Sequence, residues 1–213
     1  MRVYYDCEFL DDGSSISLIS IGMVAEDGRE YYAVNSDAPW DRIKQHDWLV
    51  RNVLPPLPVI NRNGLDAYVR ASPNVHPRPT RMRPTLGSQT PSPNVHPRPT
   101  LVLVDVDTTH TQVRPHWVIA NEVRDFLAAT PDVELWAWYG AYDFVALAQL
   151  WGPLVGAPGS MPKWTNDLRQ EYTRLGEPAG LPEQESGVHN ALADARHLRV
   201  RAEWLAALTG ASL

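Results

Sequence analysis

Two carboxylates stand one residue apart near the start of the chain, Asp6 and Glu8 in "VYYDCEFLDDG". Val3, Tyr5 and Cys7 alternate there with Tyr4, Asp6 and Glu8, a period of two that predicts a strand. Residues i and i+2 of a strand share a face, so both acids project together, roughly 6–7 Å apart along the chain. On a packed face two unpaired carboxylates are costly, and a cation beside them relieves the cost. Hard oxygen ligands favour Mg²⁺ or Mn²⁺ over zinc. An edge strand with two solvated acids fits the pair equally well when it is taken alone.

Three further residues extend the set. Asp143 falls in the first turn of a helix that follows the apolar stretch "ELWAWY", at the carboxyl end of a strand, where open α/β sheets place their sites. Asp194 lies among Ala191, Ala193 and Ala195, small residues that let a helix approach a sheet closely. His189 precedes that helix. Singly, Asp143 reads as an acid complementing a helix dipole and His189 as a cap or surface residue. Together, four carboxylates and a histidine are the parts of a two-metal phosphodiester hydrolase, with ions about 3.5–4 Å apart and an imidazole to take a proton from the attacking water.

The elements that must position these residues follow from patterning. "ISLISIGMVAEDGREYYAVN" reads as two strands joined at Asp27-Gly28, so the chain opens with a three-stranded antiparallel meander. Residues 37–58 predict one helix ended by Pro55-Pro56. Ile119, Val123, Phe126 and Leu127 mark a helix stopped at Thr130-Pro131. A buried strand at 133–139, a helix at 141–152, a short strand leading into a helix at 163–176, and a final helix over 189–210 complete the order. In that last helix Leu192, Ala195, Ala202 and Leu205 are expected on one side, with Gly210 at its end. The predicted class is α/β, a mixed sheet of antiparallel and parallel strands flanked by helices.

Residues 70–100 differ in character. They hold eight of the nineteen prolines, five arginines and no acid, and "SPNVHPRPT" occurs at both 72–80 and 92–100. The chain therefore reads as a single domain, 1–213, interrupted by a Pro/Arg-rich insertion at about 61–115, either an inserted linker or a basic arm touching RNA phosphates. "VDVD" gives Asp105 and Asp107 the i, i+2 spacing with His110 nearby, but nothing else converges on it. Asp167 reads either as a cap of the helix that follows it or as a residue holding a group beside the site, and capping is expected. Trp136, Trp138 and Tyr142 suit either base stacking or a core.

With 213 residues, 44% hydrophobic, the chain can bury a sizeable core, and its formal charge of −6 argues against non-specific wrapping of nucleic acid. No apolar run reaches the roughly 18 residues of a membrane span. Acids stand where the apolar stretch of a signal peptide would run, and Cys7 is the one cysteine. A cytoplasmic protein is expected.

"DCE" (6–8), "AYDFVAL" (141–147) and "HNALADA" (189–195) resemble, in order, the three motifs of the DEDDh 3′→5′ exonucleases. The wording of these stretches, with "ISLISIGMVAEDGREYYAV" and "LWAWYGAYDFVALAQLWGP", is most similar to the ribonuclease AS branch, bacterial exoribonucleases that prefer polyadenylate. The resemblance covers about residues 1–56 and 116–200. It implies a ribonuclease H-like fold and release of nucleoside monophosphates from the 3′ end of single-stranded RNA. It also implies two Mg²⁺ or Mn²⁺ ions per site and a homodimer. Carried over, Asp6, Glu8, Asp143 and Asp194 become metal ligands and His189 the general base. Phe9, Leu10 and Tyr142 would border the terminal nucleotide. Many members carry Asn four residues before the second-motif Asp, where this chain has Tyr139, and close relatives have a much shorter segment in place of the insertion. Other readings are an exonuclease on short oligoribonucleotides or single-stranded DNA, and an RNA-binding module without catalysis.

Overall fold

A computed structural model describes residues 1–64, 66 and 105–210. The two copies of the repeat, at 72–80 and 92–100, lie outside the described residues, as does the Pro/Arg-rich stretch read as an inserted linker or a basic arm.

The sequence's alternation builds a six-stranded mixed sheet. Its strands are β1 (Arg2–Asp11), β2 (Ile16–Ala25), β3 (Glu30–Asn35), β6 (Val113–Arg114), β7 (Glu134–Ala137) and β8 (Asn166–Asp167), in the order β6-β3-β2-β1-β7-β8. β1, β2 and β3 form the expected antiparallel meander, and Gly28 at φ 89° makes the second turn. β7 pairs parallel with β1, β8 with β7, and β6 with β3. The ribonuclease H-like mixed sheet read from the sequence is thus the observed fold. β6 falls within the 61–115 stretch and adds an edge strand to this sheet. A separate two-stranded antiparallel ribbon joins β4 (Val59–Ile60) to β5 (Asp105–Val106).

β1 is central and covered on both faces, so its residues from Val3 to Leu10 are buried or half-buried, Asp6 and Glu8 included. Val3, Tyr5 and Cys7 pack with Ile119, Val123, Leu127 and Leu147 from the helices His116–Ala128 and Ala141–Ala148. Tyr4, on the other face, packs with Trp136 and with Leu168, Leu198, Ala202 and Leu205 from the helices Leu168–Arg174 and Ala191–Thr209. Each fully buried Ile or Leu of this kind stabilises the fold by roughly 1.5–3 kcal/mol. The buried stripe of the last helix is Ala191, Ala195, Leu198, Ala202 and Leu205, and Leu192 is only half-buried beside it. Gly210 ends the helix in the left-handed conformation, as expected.

One expected element is divided. Instead of a single helix over 37–58, two short helices form, Trp40–Ile43 and Asp47–Asn52, separated by an extended His46. At 100° per residue Leu49 would lie about 120° off the stripe of Ile43, Val50 and Leu54 in a continuous helix. The break lets Leu49 enter the same buried cluster as those three.

Candidate active site

Asp6 and Glu8 emerge on the face of β1 that the final helix covers. The β1–β2 register pairs Glu8 with Ser20 but Phe9 with Leu18, a bulge immediately after Glu8. Bulges of this kind re-aim the side chains around them. Directly opposite Asp6 stands Gly22. A Cβ on Gly22 would lie 2.3 Å from the backbone of Ala191, so the final helix starts in contact with the strand at the level of Asp6. Asn190 caps that helix by accepting from Ala193 N–H, and its amide donates to the Tyr32 hydroxyl. The helix start is thereby fixed to β3 as well as β2.

Asp143 arrives from the other layer. It sits in the first turn of the helix Ala141–Ala148 and is buried at 6% exposure. Its Oδ1 accepts a 2.9 Å hydrogen bond from Cys7 N–H, the peptide between Asp6 and Glu8. Cys7 packs behind the acids, buried in the cluster with Val3 and Tyr5. The turn that delivers Asp143 contains Tyr139 at φ 60°, a strained value for a non-glycine residue. The Asp167 carboxylate holds it, accepting from Tyr139 N–H and Gly140 N–H as well as capping its own helix through Arg169 N–H and Gln170 N–H. Asp167 therefore does more than the capping expected of it.

Asp194 lies on the final helix. Its Oδ2 accepts from His189 N–H at 2.9 Å and its Oδ1 from the Gln184 amide at 2.6 Å. His189 takes a left-handed backbone, φ 65°, and its ring meets Trp48 edge-on with centroids 4.9 Å apart. Glu8, His189 and Asp194 each offer a ligand atom within 4.8 Å of the others. The four acids and His189 line one cleft of about 570 Å³.

The electrostatics of this cleft are those of a site short of positive charge. Burial pushes the Glu8 carboxyl up to about 8, reinforced by Asp194 and Asp143. Burial likewise lifts Asp143 to about 7 against the opposing Cys7 hydrogen bond. Asp6 is held well above the usual carboxylate range by burial and then by Asp143, Glu8 and Asp194. Asp194 is raised by burial, offset by Gln184 and His189. Among the described residues Asp6 Oδ2 is buried with no hydrogen-bond partner. A buried, unpartnered carboxylate oxygen beside three more carboxylates fits divalent cations with oxygen preference, Mg²⁺ or Mn²⁺.

The residues expected on the substrate side divide. Phe9 lines the cleft, and Tyr142 stacks on it with centroids 6.1 Å apart. Leu10 is buried instead in the cluster with Ile19, Val34 and Ile43, away from the cleft lining. Trp136 is core, whereas Trp138 lines the cleft. Asp105 and Asp107 stay apart from the site: Asp105 pairs with Lys44 at 2.7 Å, and Asp107 accepts from Thr109. Sequence reasoning missed Trp48, Gln184 and Arg201. Only Arg201 carried a readable signal, standing seven residues after Asp194 on the same helical face.

Fold and cleft together are those of an α/β protein with a ribonuclease H-like sheet and a convergent acidic site. No protein-family model matches the chain. Two curated proteins of Mycobacterium tuberculosis do: the 3′-5′ exoribonuclease Rv2179c of strain ATCC 25618 / H37Rv and the 3′-5′ exoribonuclease MT2234.1 of strain CDC 1551 / Oshkosh. Each is 36% identical over 198 residues, covering 92% of this chain and 88% of the relative. The chain belongs to this family of 3′-5′ exoribonucleases.

Proposed function

We propose that the protein is a two-metal-ion exoribonuclease of the DEDDh type that removes nucleoside monophosphates from RNA 3′ ends. The observation that carries this reading is the convergence of Asp6, Glu8, Asp143 and Asp194 with His189 in one cleft, where the acids raise one another's pKa and Asp6 Oδ2 lacks a partner. Asp6, Glu8, Asp143 and Asp194 would hold the cations. When bound, two such ions supply charge stabilisation for the attacking and leaving oxygens of an in-line displacement.

His189 accepts a proton from the attacking water, and its backbone tie to Asp194 and edge contact with Trp48 orient the ring for that transfer. The water oxygen bonds to phosphorus and the bond from phosphorus to the 3′ oxygen of the preceding nucleotide breaks. The products are a nucleoside 5′-monophosphate and a chain one nucleotide shorter. Phe9 and Tyr142 border the terminal nucleotide. Adenylate preference and a homodimer rest on the resemblance to ribonuclease AS. Among the described residues no helix is long and apolar enough to cross a membrane.

The test offers 3′-tailed RNA of each homopolymer and a matched DNA to the purified protein with Mg²⁺ or Mn²⁺, then with excess chelator. Stepwise release from RNA, fastest on the adenylate tail and abolished by chelator, is expected. Equal rates on DNA would overturn the ribonuclease part of the reading.

A further inference from the structure

The floor of the cleft repels the substrate proposed for it. Among the described residues the cleft lining contains five acids, Glu183 besides the four proposed ligands, and one Lys or Arg, which is Arg201. Asp194, Leu198 and Arg201 follow one another at i, i+4 and i+7, so they share one helical face, and all three line the cleft. Seven residues of helix span roughly 10 Å, and long helical side chains lean back toward the N-terminus, which carries the guanidinium toward Asp194.

Arg201 is half-buried and held at two points. Its guanidinium lies over the Trp138 ring, 4.5 Å from the centroid, and its Nε donates to Pro182 O at 3.2 Å. Among the described residues no carboxylate is close enough to form an ion pair with it. A guanidinium held over an aromatic face keeps its charge and has further N–H donors besides the one given to Pro182 O, and these donors suit phosphate. The other described arginines pair with a carboxylate, for example Arg174 with Glu171 and Arg196 with Glu30, except Arg62, which donates to Pro55 O and Leu57 O outside the cleft.

We infer that Arg201, seated on Trp138, binds a backbone phosphate of the RNA next to the scissile one, on its 5′ side. This rests on the exoribonuclease reading of the same cleft. Arg201 is then a substrate-positioning residue that makes the enzyme favour a polynucleotide over a mononucleotide ester. It also offsets part of the repulsion between RNA and the acids of the cleft.

The experiment compares single-stranded RNA with the p-nitrophenyl ester of a nucleoside 5′-monophosphate, which has a scissile phosphate and no neighbour. Arg201→Gln and Arg201→Lys are assayed with Mn²⁺ over a range of salt, with thermal melting to follow folding. For Arg201→Gln, KM for RNA is expected to rise about tenfold or more while the ester loses far less. The slope of log affinity for RNA against log salt should fall by about 0.7, the value for one phosphate contact to a single strand. Arg201→Lys should restore part of the salt slope. Equal losses on RNA and ester would overturn the inference in favour of a structural role through Pro182, and so would an unchanged KM and salt slope. If the unaltered protein released product from neither substrate, the exoribonuclease reading itself would fall; activity of the unaltered protein with an indifferent Arg201→Gln would remove this inference alone.

Discussion

Gly22 faces Asp6 across the β1–β2 ladder, and the Ala191 backbone occupies the space where a side chain on Gly22 would begin. This contact ties the acid on the strand to the acid on the helix, because the start of the helix fixes where Asp194 can stand. Gly22→Ala must push the helix away. A destabilisation of about 1–3 kcal/mol is expected from such overpacking, together with loss of most activity. Thermal melting and an exonuclease assay check both; a variant of unaltered stability and rate would show that the close approach is not required.

Asp6→Asn removes a charge from a group crowded by three others. Turnover is expected to fall by more than the roughly 10–100-fold typical of residues that only support metal ligands. In chelator the variant should melt no lower than the parent, because the substitution relieves repulsion and leaves the shape unchanged. Near-normal turnover would remove Asp6 from the proposed ligand set.

The metal-free protein should lose stability as pH rises. Glu8, near 8, and Asp143, near 7, are raised in the fold above their ordinary values of 4.5 and 3.8. The folded state therefore binds more protons than the unfolded chain between those values, and the stability this contributes is fully present below the ordinary values, falls progressively as pH rises, and is gone above about 7 for Asp143 and about 8 for Glu8. In chelator, Tm should drop between pH 5.5 and 8.5 by about 5 °C or more, at roughly 2–4 °C per kcal/mol for a chain of this size. Mg²⁺ or Mn²⁺ should flatten the drop by binding the ionised acids. A Tm in chelator that climbed over this range would contradict the assignment.

His189→Ala is expected to lower kcat by about 10²–10⁴, the usual contribution of a positioned general base. Trp48→Ala leaves the imidazole in place but frees it to turn, and a smaller loss of up to about a hundredfold is expected from misplacement. Measuring kcat for both variants orders them: a larger loss for Trp48→Ala than for His189→Ala would mean that Trp48 does something other than orient the ring.

Much of the site was legible because its residues obey short-range periodicities. Asp6 and Glu8 share a strand face by parity, Asp143 follows a strand into a helix, and the small residues around Asp194 announce a close helix. The remainder depends on relations that parity does not carry. Leu10 shares the Glu8 face by parity but lies one step further along β1, where Ile19, Val34 and Ile43 bury it, and only the fold shows which part of that face is covered. Trp48 reaches His189 because the 37–58 segment breaks into two helices, a tertiary demand to bury Leu49 that overrides local helical pattern. β6 was missed because two residues are too few to show alternation. Asp167 read as a cap, and only the fold shows that it also grips the turn before Asp143.

Asp6, Glu8, Asp143 and Asp194 are proposed to form a metal-dependent centre for cutting RNA from its 3′ end. The most direct measurement follows 5′-labelled single-stranded RNA with the purified protein, with and without divalent metal, while identifying the released product. A ladder shortening one nucleotide at a time, nucleoside 5′-monophosphate as product, and arrest on adding chelator are expected. Internal cuts, or release undiminished by complete removal of divalent metal, would contradict it.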